Sequence, residues 1–183
     1  VIPNDEAFRA MLDERGILRA GAIEAPARTA AFTVFAQRTD ARVEAEAWER
    51  HATQFFDARV GLVVAKTYGD VAPPLVDAAR VVVAPAESPP GTRFCFARPR
   101  EDDDLEAAER ADIAAGSPGL ALLAKRCSYV WLVACEGDDD RLALLLAAIL
   151  ASVVLGPVLA PDQSSLFGVR TARAKLDAPR GYR

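Results

Sequence analysis

Histidine is nearly absent from this chain, with one residue, His51, among 183. Every scheme that relies on an imidazole must therefore use that ring. Also missing are the phosphate-cradling loop G-x-x-x-x-G-K-[ST], the dinucleotide fingerprint G-x-G-x-x-G, the nucleophile elbow G-x-S-x-G, and the patterns H-E-x-x-H, C-x-x-C and S-x-x-K. These absences exclude the enzyme classes whose mechanism can be read from a short motif. Lysine is scarce, 3 residues against 19 arginines, and alanine reaches 37. A GC-rich coding sequence produces that bias by itself, so the arginine excess is no sign of phosphate recognition. Positive charge is not in surplus either: 22 basic against 26 acidic residues give a net charge of −4, which repels nucleic acid. The densest basic stretch, Arg170, Arg173, Lys175, Arg180 and Arg183 against Asp177, reads as a solvated tail over 173–183, without the interleaved aromatics of a nucleic-acid contact.

Cysteine is an odd trio, Cys95, Cys127 and Cys135, in apolar settings such as Phe94-Cys95-Phe96. That usage fits buried free thiols in a reducing compartment. Residues 4–15 already carry Asp5, Glu6, Arg9, Asp13, Glu14 and Arg15, which is not the opening of a secretory leader. The expected location is cytoplasmic.

What the chain does have is apolar material, 51% of its residues. That suffices for one α/β domain over 1–183 that removes roughly two-thirds of its unfolded surface from water. The run 142–160 contains no charge. Its length meets the minimum for a bilayer span, but Gly156-Pro157 stops a helix near Leu155, and no aromatic belt flanks it. A membrane span is therefore not the expected outcome. Inside a soluble chain, a helix apolar on every side must be covered on every side. A sheet covers one face only, so the rest must come from neighbouring helices, which are few in a chain this small, or from a second subunit. This predicts a homodimer or higher oligomer with this helix at or near the interface, or a protein partner in its place.

Periodicity predicts an amphipathic helix over 2–16 and a loop to about 28, then strand 30–38, helix 41–58, strand 60–66, a short helix at 74–79 and a β-branched strand at 80–84. After the Pro89-Pro90 boundary come strand 92–97, helix 102–115, a short helix 118–125 capped by Ser117, strand 128–134, helix 139–155, and closing strands at 158–160 and 167–172. Each half, 30–85 and 92–161, thus runs strand, helix, strand, helix, strand. Local echoes such as Val83-Ala84-Pro85 and Leu159-Ala160-Pro161 allow an internal duplication or a shared architecture without common descent. The alternation points to an α/β fold of two or three layers with a mixed or mostly parallel sheet. The unbroken apolar strands at 60–65 and 129–134 are expected at its centre, and edges near Thr92 and Phe167.

Acidic residues form the most organised polar feature. Asp70, Asp102, Asp138 and Asp139 all fall where a strand gives way to a helix, so in a parallel sheet they would gather along one edge, where Mg²⁺ could be held. The competing role is helix capping, with about 0.5–2 kcal/mol from each cap. Cys135 ends a strand just before a helix, which favours a thiolate, while Glu136, Asp138, Asp139 and Asp140 oppose it. His51, between Trp48 and Phe55 at helical spacing, reads as a structural ring beside the core more readily than as a general base. A zinc site is not expected, because the spacing of the three cysteines and the histidine forms no paired knuckle. The expected function is therefore non-catalytic binding or regulation by a self-associating protein without cofactor. The alternative is a metal-assisted hydrolase or phosphotransfer enzyme that uses the four aspartates and Mg²⁺.

Overall fold

The computed structural model describes residues 5–116 and 119–178. Along them run α1 (Asp5–Ala10), a 3-10 turn (Arg28–Ala30), β1 (Ala31–Ala36), α2 (Ala45–Phe56), β2 (Ala58–Lys66), β3 (Val76–Pro85) and β4 (Gly91–Pro99). They are followed by α3 (Asp102–Ala114), α4 (Leu120–Lys125), β5 (Tyr129–Ala134), α5 (Arg141–Val154), β6 (Val158–Leu159), β7 (Leu166–Phe167) and α6 (Val169–Asp177). The expected cap at Ser117 and the final basic residues, Arg180 and Arg183, lie outside the described residues.

The strands form one sheet in the order β2-β3-β4-β5-β1-β6-β7, and every neighbouring pair is antiparallel. This overturns the mixed or mostly parallel sheet. One cause is local: the helix expected at 74–79 does not form, and Val76 to Pro85 runs as a single strand between β2 and β4. Ala78 and Ala79 favour a helix by propensity, but two flanking strands and the following valines override it. β2, β3 and β4 then follow one another as hairpins, with no helical crossover. The other cause is global. β5 and β6 are joined through α5 and run in the same direction, yet β1 lies between them and pairs with both. A crossover helix makes its two strands parallel without making them neighbours. The two halves do not repeat either, because the first runs strand, helix, strand, strand.

Both faces of the sheet are covered. On one, Val34, Val60, Val81, Cys95, Trp131 and Val133 pack under α2 and α5, where the indole rings of Trp48 and Trp131 meet edge to face with centroids 5.6 Å apart. On the other, Phe35, Val130 and Leu159 pack against α3 and α4, while Phe94, Phe96 and Leu132 pack against Phe8, Met11 and Leu12 of the amino-terminal segment. β2 reads as a central strand although it is the sheet's outer one, because Val60, Leu62 and Val64 lie under the helices and Val63 and Ala65 under the amino-terminal segment, while Arg59 and Gly61 stay exposed. The expected edge at Thr92 belongs to β4, which is interior.

α5 lies across the sheet between α2 and α6, and Ala147, Ala148, Ile149 and Leu150 are fully buried within the one chain. Alanines at the flanks let the neighbouring helices approach closely. A second copy is therefore not needed to cover α5, and the helix provides no argument for one. Among the described residues no helix is long and apolar enough to cross a membrane. The helix stops where the sequence indicates, but Leu155, at φ 58°, takes the left-handed cap. Gly156 serves a different need: a Cβ there would sit 1.7 Å from the carbonyl oxygen of Phe35.

Candidate functional site

Strand direction decides which loops share an end of the sheet. Asp70 lies in the β2–β3 loop and Asp102 opens α3 after β4, both at the end where β2 and β4 finish. Asp138 and Asp139 follow β5, which runs antiparallel to β4 and finishes at the opposite end. All four are exposed, and the structure does not bring them together. Among the described residues no three His, Cys, Asp or Glu side chains are grouped as metal ligands.

The acidic residues that are withdrawn from water have structural work. Asp140 caps α5 by accepting from the Ala143 amide (2.9 Å), accepts the Glu136 amide (2.8 Å), and takes a two-pronged contact from Arg93 (Nε 2.6 Å, Nη2 2.8 Å). Burial pushes its pKa up, but Arg93 and the two amides prevail and hold it below the usual carboxylate range. Asp104 belongs to a reciprocal capping box with Glu101 and receives Arg98 (2.6 and 2.9 Å) and Arg28 (3.1 Å). It too is lowered, burial being outweighed by Arg98, the Glu101 amide and Arg28. Asp112 accepts from the Gly119 and Ala121 amides (2.8 and 3.0 Å), so α4 is capped from α3.

The single histidine has a partner that sequence spacing did not reveal. His51 Nδ1 lies 2.9 Å from Ser152 Oγ, and that hydroxyl donates its one proton to the Ile149 carbonyl at 2.7 Å. The ring must then donate through Nδ1 and accept nothing from the serine, which is the reverse of a general base. Burial, then Arg50, lowers the His51 pKa. The pair is a neutral clasp between α2 and α5. Cys135 fares no better as a nucleophile: burial first and Asp140 second push its thiol up to about 11. Cys127 is also raised to about 11 by burial, and Cys95 is raised further for the same reason.

A substantial concavity lies beside the Arg93–Asp140 pair. It is a cleft of about 700 Å³ formed by the end of α2, the β3–β4 loop, the start of α5 and the end of α6. Phe55, Phe56, Leu142 and Leu176 contribute apolar wall, and Arg93, Arg141 and Arg173 contribute cationic rim. Arg93 is held by Asp140 and by Glu136 (2.9 Å), and Arg141 donates to the Leu176 and Ala178 carbonyls at the end of α6. Arg173 is exposed and forms no ion pair or hydrogen bond among the described residues. Asp57, Glu87 and Asp177 add acidic groups to the same lining. Its residues come from four separated stretches of chain, so no local motif announces it. No family model, curated protein or solved structure matches the chain.

Proposed function

We propose that the protein acts by binding without turnover, as a receptor or regulatory subunit, with the cleft between α2, α5 and α6 as its ligand site. The observation that carries this reading is the pairing of an apolar wall, Phe55, Phe56, Leu142 and Leu176, with a cation, Arg173, that has no ion-pair partner among the described residues, in one concavity. Such a site suits a small amphipathic anion: the wall shields the apolar part and the guanidinium takes the charged group through a charge-assisted hydrogen bond. The three free cysteines support a reducing, cytoplasmic setting.

Anilinonaphthalene sulfonate, an aromatic body with one anionic group, is a direct probe. Its fluorescence is expected to rise saturably with the folded protein. Arg173→Glu is expected to weaken binding by about tenfold or more, the equivalent of roughly 1.5–3 kcal/mol for a hydrogen bond to a charged group. Phe55→Ser acts on the wall and should weaken it too. Binding that fails to saturate, or that both variants leave unchanged, refutes this assignment. The metal-assisted reading has less support, since it needs Asp70, Asp102, Asp138 and Asp139 in one coordination sphere. Thermal melting in millimolar Mg²⁺, Mn²⁺ or Ca²⁺ should show no stabilisation. A rise of several degrees would revive it.

A further inference from the structure

The outer strand β2 presents an open row of backbone groups, and the pattern can be worked out residue by residue. The Ala86 amide donates to the Asp57 carbonyl (3.0 Å) on the β3 side, while the Lys66 amide turns the other way and donates to Gly16 (2.7 Å). Antiparallel pairing alternates along a strand. Residues 59, 61, 63 and 65 therefore exchange bonds with β3, and Val60, Leu62 and Val64 direct both N–H and C=O away from it. The row is closed at both ends, by Thr53 Oγ1 on the Ala58 carbonyl (3.5 Å) and by the Gly16 contact at Lys66. Between those ends no backbone partner is present among the described residues. The usual protections of a sheet edge are also missing from 60–65, which contains no proline and no charge, and the one bulge lies at the Ala65/Lys66 end. The other edge strand, β7, is two residues long.

We infer that β2 is a homodimerisation edge, in which two copies of this chain pair their β2 strands antiparallel about a twofold axis at Leu62. The open positions 60, 62 and 64 are symmetric about Leu62, so the strand is its own complement: Leu62 faces Leu62 of the partner, and Val60 faces Val64. Two backbone bonds for each facing pair give about six in all. The same register sets Arg59 opposite Ala65 and away from another cation, and Gly61 opposite Val63, where no atom lies within 4 Å of a Cβ placed on Gly61. An uncharged open run offers nothing to select a charged peptide, whereas a second copy satisfies every open group by symmetry. The result is one continuous sheet through both copies.

Light scattering over micromolar to high-micromolar concentrations tests this, together with amide hydrogen exchange. The wild-type chain should reach twice its 19.6 kDa mass, and the Val60, Leu62 and Val64 amides should slow by at least tenfold as dimer forms. Gly61→Glu adds a side chain into open space in each copy and like charge beside the axis. It should give the single-chain mass with an unchanged circular dichroism spectrum. A wild-type chain that stays at 19.6 kDa throughout, a dimer whose three amides exchange fast, or amides slowed independently of concentration would each overturn the inference. The exchange measurement uses the unaltered chain, so it stands even where the variant fails to fold.

Discussion

Asp140 joins three things at once: the first turn of α5, the 136–140 loop and the Arg93 guanidinium. Replacing it by alanine removes the cap and leaves Arg93, itself largely buried, without its main counter-charge. The expected loss is about 3–5 kcal/mol, read as a drop in the urea midpoint, because a buried cation stripped of its partner costs more than the pair contributed. Asp139→Ala, one residue earlier and exposed, should change stability by less than about 0.5 kcal/mol. From sequence the run Asp138-Asp139-Asp140 shows a helix start but not which carboxylate caps it, since that choice depends on Arg93, 47 residues away. His51 was equally opaque. Its neighbours Trp48 and Phe55 placed it beside a buried stripe, but the hydroxyl that makes it a donor is 101 residues distant.

At the level of elements, α2, α3, β5 and α5 were legible because each carries its own periodicity and its own terminating residues. β3 was not. Ala78 and Ala79 after Pro74 look helical, and only the flanking strands make them extended. α5 separates the two kinds of information further. Its unbroken apolar composition does demand cover on all sides, but the cover comes from the sheet, α2 and α6 of the same chain. Leu150→Ala, at a fully buried position, should cost about 2–5 kcal/mol in chemical denaturation. Leu155 is 65% exposed and holds a left-handed backbone that disfavours any side chain. Leu155→Gly is therefore expected to leave stability to chemical denaturation unchanged or raise it by up to about 1 kcal/mol. A clear loss there would mean that the leucine side chain makes a contact of real value.

For the molecule as a whole, Asp104 and Asp140 are the buried carboxylates that contribute to the response to acid. Each has a folded-state pKa below its unfolded value, because arginine and amide contacts outweigh burial. Their contribution is complete above the unfolded value of about 3.9 and is lost as pH falls through the lower folded values. Melting temperature should therefore hold near neutrality and drop steeply below about pH 4, and Asp104→Asn should flatten that drop while lowering the plateau. A melting temperature that stays flat to pH 2 would contradict the assignment. Strand direction is the whole-molecule property least legible in the sequence. Acid clusters that follow strand ends converge only when those strands run parallel, and the antiparallel order sends Asp70 and Asp102 to one end of the sheet and Asp138 and Asp139 to the other. The residues themselves determined that a large apolar core forms, where most helices and strands lie, that most of α5 is covered, and that no short catalytic motif is present. These follow from short-range periodicity and composition. Strand order, the identity of α5's neighbours, the cleft and the open edge of β2 were decided only by the tertiary structure, because each depends on contacts between segments far apart in the chain, whose pairing leaves no trace in local pattern.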